Sequence, residues 1–370
     1  MRPIAIAAGG TGGHLFPAEA LAAELRARGE RIVLFTDARS AAFDSPAFSN
    51  AERFVLQGAG MAGRNVLAAL RGAGLMARGT LAARRHLRRL DAAAVVGFGG
   101  YPAIPPALAA LSLGARRPVL VLHEQNAVLG RANRMLAARA DALALTYAVT
   151  GKVPTGARPH VVGNPVRPAL AALAGQPYEA PGTGALRLLV TGGSLGARIF
   201  ADVVPAAVAA LPEGLRARLI VTQQCRAEDL ERVRAAYAGT GIPVELSPFF
   251  SDMPRRLATA HLVVARAGAS TLAELACAGR PSVLVPLPSA IDDHQAANAR
   301  ALADCGAALV LPQAEMAAPR LTAALAEWLT ASERLARAAR AAASLARPQA
   351  ARDLADLVLA LAHRTLQDTH

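Results

Sequence analysis

The chain has 370 residues, 53 % hydrophobic and 18 % charged, with a formal net charge of +13. That length implies two domains and that composition excludes a disordered chain. No run approaches the ~20 apolar residues of a spanning helix, and the three scattered cysteines, Cys225, Cys277 and Cys305, speak against a disulfide framework or a structural zinc site and for a reducing cytosol. The N-terminus reads directly as a strand, without a charged-then-apolar leader, so no secretory signal is expected. The positive charge favours polyanions, but it is nearly all arginine, with Lys152 the one lysine. That pattern is also what a biased genomic composition would give.

In chain order the first half alternates strand and helix. Ile4–Ala8 reads as a strand and Leu15–Arg28 as a helix with Leu21 and Leu25 on one face and Gly29 as its stop. Strands follow at Ile32–Thr36, Ala93–Val96, Val119–Leu122 and Ala142–Leu145. A Gly/Pro-rich stretch from Gly163 to Gly184 reads as the linker. The alternation then restarts, with strands at Leu186–Val190, Leu219–Thr222, Val244–Leu246, Leu262–Ala265, Ser282–Val285 and Ala308–Leu311, and a helix over Ser270–Ala278. The tail from Pro319 is helical with a break at Pro348. This alternation predicts α/β architecture: two Rossmann-like domains with parallel sheets, over residues 1–163 and 164–347, with a last helix over about 348–370 packing back on the first.

Ligands of such sheets bind beyond the carboxyl ends of strands, and that is where the polar turns fall. Gly9-Gly10-Thr11-Gly12-Gly13-His14 and Gly192-Gly193-Ser194-Leu195-Gly196-Ala197 are glycine turns between a strand and a helix start. Backbone N–H groups converge there at the positive end of a helix dipole, which suits an anion. Neither is a Walker turn, and neither completes a dinucleotide fingerprint, since Leu15 stands where the third glycine belongs. His14 is either a helix-start residue bonded to backbone, or a base or substrate contact. His123-Glu124-Gln125-Asn126 gathers four polar side chains after an apolar strand, a costly arrangement to bury without partners. Glu274 is either a dipole partner or a ribose ligand. Asp292 reads as an N-cap, and Asp292, Asp293 and His294 lack an enforced metal-ligand spacing. Between Gly63 and Leu90 stand seven arginines and no acid, interleaved with leucines. The segment is either an ordinary solvated helix or a basic amphipathic surface for anionic lipid, and Gly72, Gly74 and Gly79 argue against one rigid helix.

Taken in order, Gly9–His14, Gly97-Phe98-Gly99-Gly100-Tyr101-Pro102, His123–Asn126, Gly163-Asn164-Pro165-Val166-Arg167, Gly192–Arg198, Arg266-Ala267-Gly268-Ala269 with Glu274, and His294-Gln295 resemble the signatures of the MurG family of peptidoglycan UDP-N-acetylglucosaminyltransferases. The resemblance spans almost the whole chain, with departures at Leu195, Ala267 and His294. It implies a GT-B fold, two Rossmann-like domains facing across a cleft. It also implies inverting transfer of GlcNAc from UDP-GlcNAc to the 4-hydroxyl of MurNAc in lipid I, giving lipid II. Under it, UDP-GlcNAc is held by Thr11, Gly12, Gly13, Asn126, Arg167, Ser194, Phe250, Glu274, His294 and Gln295. The acceptor pyrophosphate lies near Gly10, Gly12, Gly13, Gly99, Gly100 and Tyr101. His14 is the first candidate for the base and Glu124 the second. No metal or cofactor is called for. Arg84, Arg85, Arg88 and Arg89 are expected to meet the anionic leaflet at the cytoplasmic face of the bacterial inner membrane, as a peripheral protein. Cell-wall synthesis and division proteins are the further partners implied; nucleic acid is not expected. Three other readings remain open from the residues: a GT-B enzyme with a diacylglycerol acceptor, an NAD(P) oxidoreductase using Asp37, and a non-catalytic basic module.

Overall fold

In a computed structural model of the chain, residues 2–43, 45–56, 66–193 and 196–367 are described. They divide into two compact units: Met1–Arg167 with Gln349–His370, and Pro168–Pro348. The division falls between Arg167 and Pro168, so the Gly163–Arg167 segment sits with the N-terminal unit.

The N-terminal unit runs β1 (Ile4–Ala7), α1 (Gly12–Ala27), β2 (Ile32–Thr36), β3 (Glu52–Val55), α2 (Val66–Leu90), β4 (Ala94–Gly97), α3 (Gly100–Leu111), β5 (Val119–Glu124), α4 (Arg131–Leu136), β6 (Ala142–Leu145) and β7 (Pro159–Val161). Among the described residues its strands form one sheet in the order β3-β2-β1-β4-β5-β6-β7, and every pairing is parallel. The apolar runs are continuous rather than alternating because both sheet faces are covered. One face packs Ile4, Ile6, Val96 and Val121 against Leu21 and Leu25 of α1. The other packs Ala5, Val33, Val95 and Leu120 against Leu87 of α2 and Ala107 of α3. Sequence reading misses β3 and β7. In the first only Phe54 is buried, and the second is exposed throughout at the sheet edge, so neither carries a continuous apolar signal.

The C-terminal unit runs α5 (Pro168–Ala171), β8 (Leu186–Thr191), α6 (Arg198–Ala209), α7 (Glu213–Arg216), β9 (Leu219–Gln224), α8 (Leu230–Tyr237), β10 (Val244–Ser247), α9 (Met253–Thr259), β11 (Leu262–Ala265), α10 (Ala269–Ala278), β12 (Ser282–Leu284), α11 (His294–Asp304), β13 (Ala308–Val310), α12 (Ala318–Leu329) and α13 (Ser332–Ser344). Its sheet has the order β10-β9-β8-β11-β12-β13, again parallel throughout. After Pro348 the chain returns to the N-terminal unit as α14 (Ala350–Gln367). Leu354, Ala355 and Val358 enter the same core as Leu21 and Leu25, and Arg28 pairs with Asp356 at 2.5 Å.

Each sheet reverses its strand order once, between β1 and β4 and between β8 and β11. Such a switch point opens a crevice at the carboxyl ends of the strands. The two glycine turns follow β1 and β8, one at each crevice.

The Arg-rich segment differs from the sequence expectation, since α2 is one helix across Gly72, Gly74 and Gly79. Gly72 and Gly79 lie on its buried stripe with Met76, Ala83 and Leu87, on a helix that packs against α3. Packing of that stripe offsets the intrinsic cost of glycine in a helix.

Candidate active site

At the N-terminal crevice the turn after β1 leads directly into α1. Gly10 has φ +86° and donates its N–H to Ser40 Oγ at 2.8 Å. Its contribution to an anion site is therefore shape rather than a donor. Thr11, Gly12 and Gly13 follow at the helix start, and His14 stands in the first turn. A further glycine pair, Gly99-Gly100 after β4, lies against the His14 ring. A Cβ on Gly100 would stand 3.3 Å from its Nε2 and Cδ2, and one on Gly99 would stand 3.6 Å from its Cε1. Both glycines have positive φ, so the ring fits where a side chain could not. Tyr101 is next and partly exposed.

The protons around His14 follow from a chain of hydrogen bonds. His123 is fully buried and its Nε2 lies 2.9 Å from the Gly163 carbonyl, so Nε2 carries the proton and donates. Its Nδ1 then accepts from Gln125 Nε2 at 3.0 Å. Gln125 Nε2 also donates to the Phe98 carbonyl at 3.1 Å, which fixes the amide orientation. Its Oε1 faces His14 Nδ1 at 3.1 Å, so His14 donates from Nδ1, and the lone pair of the neutral ring resides on Nε2. Desolvation by burial pushes the His123 pKa down to about 4, so that ring is neutral and the tautomer chain holds near neutral pH.

Glu124, the other candidate base, is buried with both oxygens occupied. Oε1 accepts from the backbone N–H of Asn126 at 3.1 Å and from its side chain at 3.0 Å. Oε2 accepts from Gly130 N–H at 2.8 Å and Asn133 Nδ2 at 2.9 Å. This is how a carboxylate organises a loop. Asn126 is thereby fixed in place. Arg167 lies over the Phe16 ring, 4.6 Å from its centroid, two residues along α1 from His14. Asn164, beside the Gly163 carbonyl that receives His123, is buried, and among the described residues its amide nitrogen and oxygen have no hydrogen-bond partner. The sequence places it in a signature but offers no way to see that orphaned amide.

At the C-terminal crevice, a Cβ on Gly192 would stand 2.3 Å from Ala197 N and 2.5 Å from the Gly196 carbonyl carbon, so only glycine permits this turn. Ser194 and Leu195 lie outside the described residues. Gln224, at the end of β9, clamps the turn: its Oε1 accepts from Gly192 N–H at 3.0 Å and Thr191 Oγ1 at 2.9 Å, and its Nε2 donates to the Gly193 carbonyl at 2.9 Å. Arg226, two residues on, lies with Cγ 3.0 Å and Nε 3.9 Å from the Cβ position of Gly196. Its Nε is buried with no partner among the described residues. Neither Gln224 nor Arg226 stands among the residues predicted from sequence, although a polar run after an apolar strand is the same signal that marked the other turns.

After β11, Arg266 donates to the Val285 and Pro286 carbonyls and to Gln313 Oε1 at 2.6 Å. Burial, and then the positive charge of Arg226, lower its pKa. Buried Asn298 donates to the Ala267 carbonyl at 3.2 Å and ties α11 to this turn. Glu274 is half-buried in the second turn of α10. Gln295 Oε1 accepts from Leu287 N–H at 2.9 Å, and His294 Nδ1 donates to the Ile291 carbonyl at 2.8 Å. Before them Asp292 and Asp293 both have positive φ, 56° and 53°, a strained turn of the kind that collects at ligand sites. Phe250 is buried with the Arg256 guanidinium 4.0 Å above its ring, while its neighbour Phe249 is exposed. Among the described residues no three His, Cys, Asp or Glu side chains cluster as a metal site.

Two parallel sheets, each with a glycine turn at its switch point, give the architecture of the GT-B glycosyltransferases. The N-terminal domain model of glycosyltransferase family 28 matches residues 4–145 and its C-terminal domain model matches residues 187–357. The chain is 57 % identical over 358 residues to the UDP-N-acetylglucosamine--N-acetylmuramyl-(pentapeptide) pyrophosphoryl-undecaprenol N-acetylglucosamine transferase of Granulibacter bethesdensis, covering 96 % of this chain and 93 % of that one. It is 56 % identical to the enzyme of the same name from Acidiphilium cryptum, covering 98 % of each. The crystal structure of Acinetobacter baumannii MurG aligns with a TM-score of 0.77 at 31 % identity, over 97 % of this chain and 99 % of that one. The chain belongs to the MurG family, within glycosyltransferase family 28.

Proposed function

We propose that this protein moves GlcNAc from UDP-GlcNAc to the 4-hydroxyl of MurNAc in lipid I, forming lipid II with inversion at the anomeric carbon. The relatives at 57 % and 56 % identity carry that substrate pair in their names. The single observation that carries the mechanism is the His123–Gln125–His14 chain, which leaves the lone pair of His14 on Nε2.

In this reading the acceptor pyrophosphate lies at the N-terminal crevice, near the helix start at Gly12–Gly13 and the Gly99–Tyr101 turn, with the 4-hydroxyl within reach of His14. The acceptor oxygen bonds to C1 of GlcNAc as the bond from C1 to the diphosphate oxygen breaks. His14 Nε2 takes the hydroxyl proton, and UDP leaves with the electron pair. The departing charge is met by the start of α6, by Ser194 and by Arg226. Glu274 binds the ribose, Gln295 and His294 meet the GlcNAc hydroxyls, and the Phe249–Phe250 segment frames the uracil. Thr11, Asn126 and Arg167 are assigned to the donor as well. Glu124 holds the Asn126 loop rather than a proton.

The acceptor carries a long lipid, so the protein works as a peripheral enzyme at the cytoplasmic face of the inner membrane. Among the described residues no helix is long and apolar enough to cross a membrane. The support lies on α2, where Leu70, Arg78, Leu81, Arg85 and Arg88 are exposed at helical spacing, an apolar and basic stripe suited to an anionic leaflet. Arg84 and Arg89 are committed elsewhere: Arg84 to Ser112, and Arg89 to Glu52 at 2.5 Å.

The test is transfer of labelled GlcNAc from UDP-GlcNAc to a short-chain lipid I analogue, with a diacylglycerol acceptor in parallel. Label on the lipid I analogue alone is the expected result. Label on the diacylglycerol instead keeps the fold and the donor site but overturns the acceptor.

A further inference from the structure

The loop after β2 meets the glycine turn in a way the mechanism above does not use. Asp37 is buried at the carboxyl end of β2, next to β1 in the sheet. Its Oδ1 accepts from Ser40 N–H at 3.0 Å. Its Oδ2 accepts from Arg39 Nε at 3.1 Å and Arg39 Nη2 at 3.0 Å. Ser40 in turn receives the Gly10 N–H. One short loop therefore pins the turn and holds a guanidinium over it. Arg39 Nη2 stands 3.7 Å from the position a Cβ on Gly10 would take, and the Asp37 carboxylate presses on Gly9 in the same way, with Oδ1 3.0 Å from its Cβ position.

The chemistry of this arrangement is specific. Burial would raise the Asp37 pKa, but the bonds from Ser40 and Arg39 outweigh it and hold the carboxyl below its usual range, so Asp37 is ionised and the fork is charge-assisted. Three of the five guanidinium N–H groups are not used by Asp37, and the Arg39 side chain is 76 % exposed. Gly10 donates to Ser40, so an anion at this turn gains from a side-chain donor beside it. A planar guanidinium on a fixed carboxylate is preorganised for phosphate oxygens, and little side-chain entropy remains to be lost on binding.

We propose that Arg39 binds the pyrophosphate of the acceptor and that Asp37 is the residue that positions it. This rests on the reading that a pyrophosphate-bearing acceptor occupies the N-terminal crevice. In the rival NAD(P) reading Asp37 would bind a ribose. Both its oxygens are instead committed to its own loop.

The experiment compares the wild type with Arg39→Ala, Arg39→Lys and Asp37→Asn, using a short-chain lipid I analogue and UDP-GlcNAc. Binding of the analogue without donor is measured by calorimetry, and thermal unfolding serves as the folding control. The expected result for Arg39→Ala is a tenfold or greater rise in acceptor KM and Kd, with kcat and donor KM within twofold and an unchanged melting temperature. Arg39→Lys recovers part of the loss, and Asp37→Asn gives an intermediate rise in acceptor KM alone. Unchanged acceptor KM and Kd in Arg39→Ala overturns the proposal, as does a parallel loss for both substrates with a lowered melting temperature. If the wild type binds the analogue but transfers nothing, the proposed function fails while Arg39 is still judged on binding. If it neither binds nor transfers, both fail.

Discussion

His14 Nδ1 and Gln125 Oε1 meet at 3.1 Å across 111 positions of sequence, and that contact assigns the ring's proton. The amide cannot turn over, because its nitrogen already donates to His123 Nδ1 and the Phe98 carbonyl. His123 cannot turn over either, because its other nitrogen donates to Gly163. A neutral amide thus does for His14 what a carboxylate does in a catalytic triad, fixing tautomer and orientation.

The two candidate bases are separated by mutation. His14→Ala should lower kcat by roughly a hundred- to ten-thousand-fold, the range of a lost general base, with donor KM little changed. Glu124→Gln should act mainly on stability, since one buried oxygen that accepts two bonds becomes a donor; each group left unsatisfied costs about 1–3 kcal/mol. Steady-state kinetics and denaturant unfolding on both variants check this. A larger kcat loss in Glu124→Gln than in His14→Ala would reverse the roles.

Arg226→Ala should weaken UDP-GlcNAc. A charged hydrogen bond to a diphosphate is worth about 1.5–3 kcal/mol, or roughly ten- to a hundredfold in donor KM. Acceptor KM should stay within twofold. UDP inhibition measured on the same variant reports the contact without chemistry, and an unaltered inhibition constant would remove Arg226 from the donor site.

Acid should destabilise the N-terminal unit through His123. Its pKa is depressed by burial from 6.5 to about 4, so below pH 6.5 the unfolded chain binds a proton that the folded chain does not. Stability is then full above pH 6.5 and falls by up to about 1.4 kcal/mol per pH unit as the pH drops toward 4. Urea unfolding at pH 7.5 and 5 measures the slope. In His123→Gln this part of the slope should disappear.

Membrane binding should follow the exposed stripe of α2. Replacing Arg85 and Arg88 with Gln removes about 1 kcal/mol each near an anionic surface, which predicts a fall of tenfold or more in partitioning to vesicles containing phosphatidylglycerol. Leu81→Ser should add to the loss, and Arg84→Gln should have the smaller effect because Ser112 already holds that side chain. Co-sedimentation with vesicles at two salt concentrations decides between the arginines.

Local sequence determined the buried strands and most of the places where chemistry gathers. The runs Ile4–Ala7, Ile32–Thr36 and Leu262–Ala265 are strands because a parallel sheet covered on both faces needs continuous apolar segments, and Gly192 announces a turn that no other residue fits. The polar residues just after those strands could be read as ligand-facing from the general rule for such sheets. What sequence could not decide was which of those residues touch. Glu124 and Gln125 are neighbours in one polar run, yet the first is consumed by its own loop and the second orients His14. Arg39 reaches Gly10 and Arg226 reaches Gly196 only because β2 lies beside β1 and β9 beside β8. Strand order and register set those distances, and the side-chain periodicity within a single strand carries no information about its neighbour.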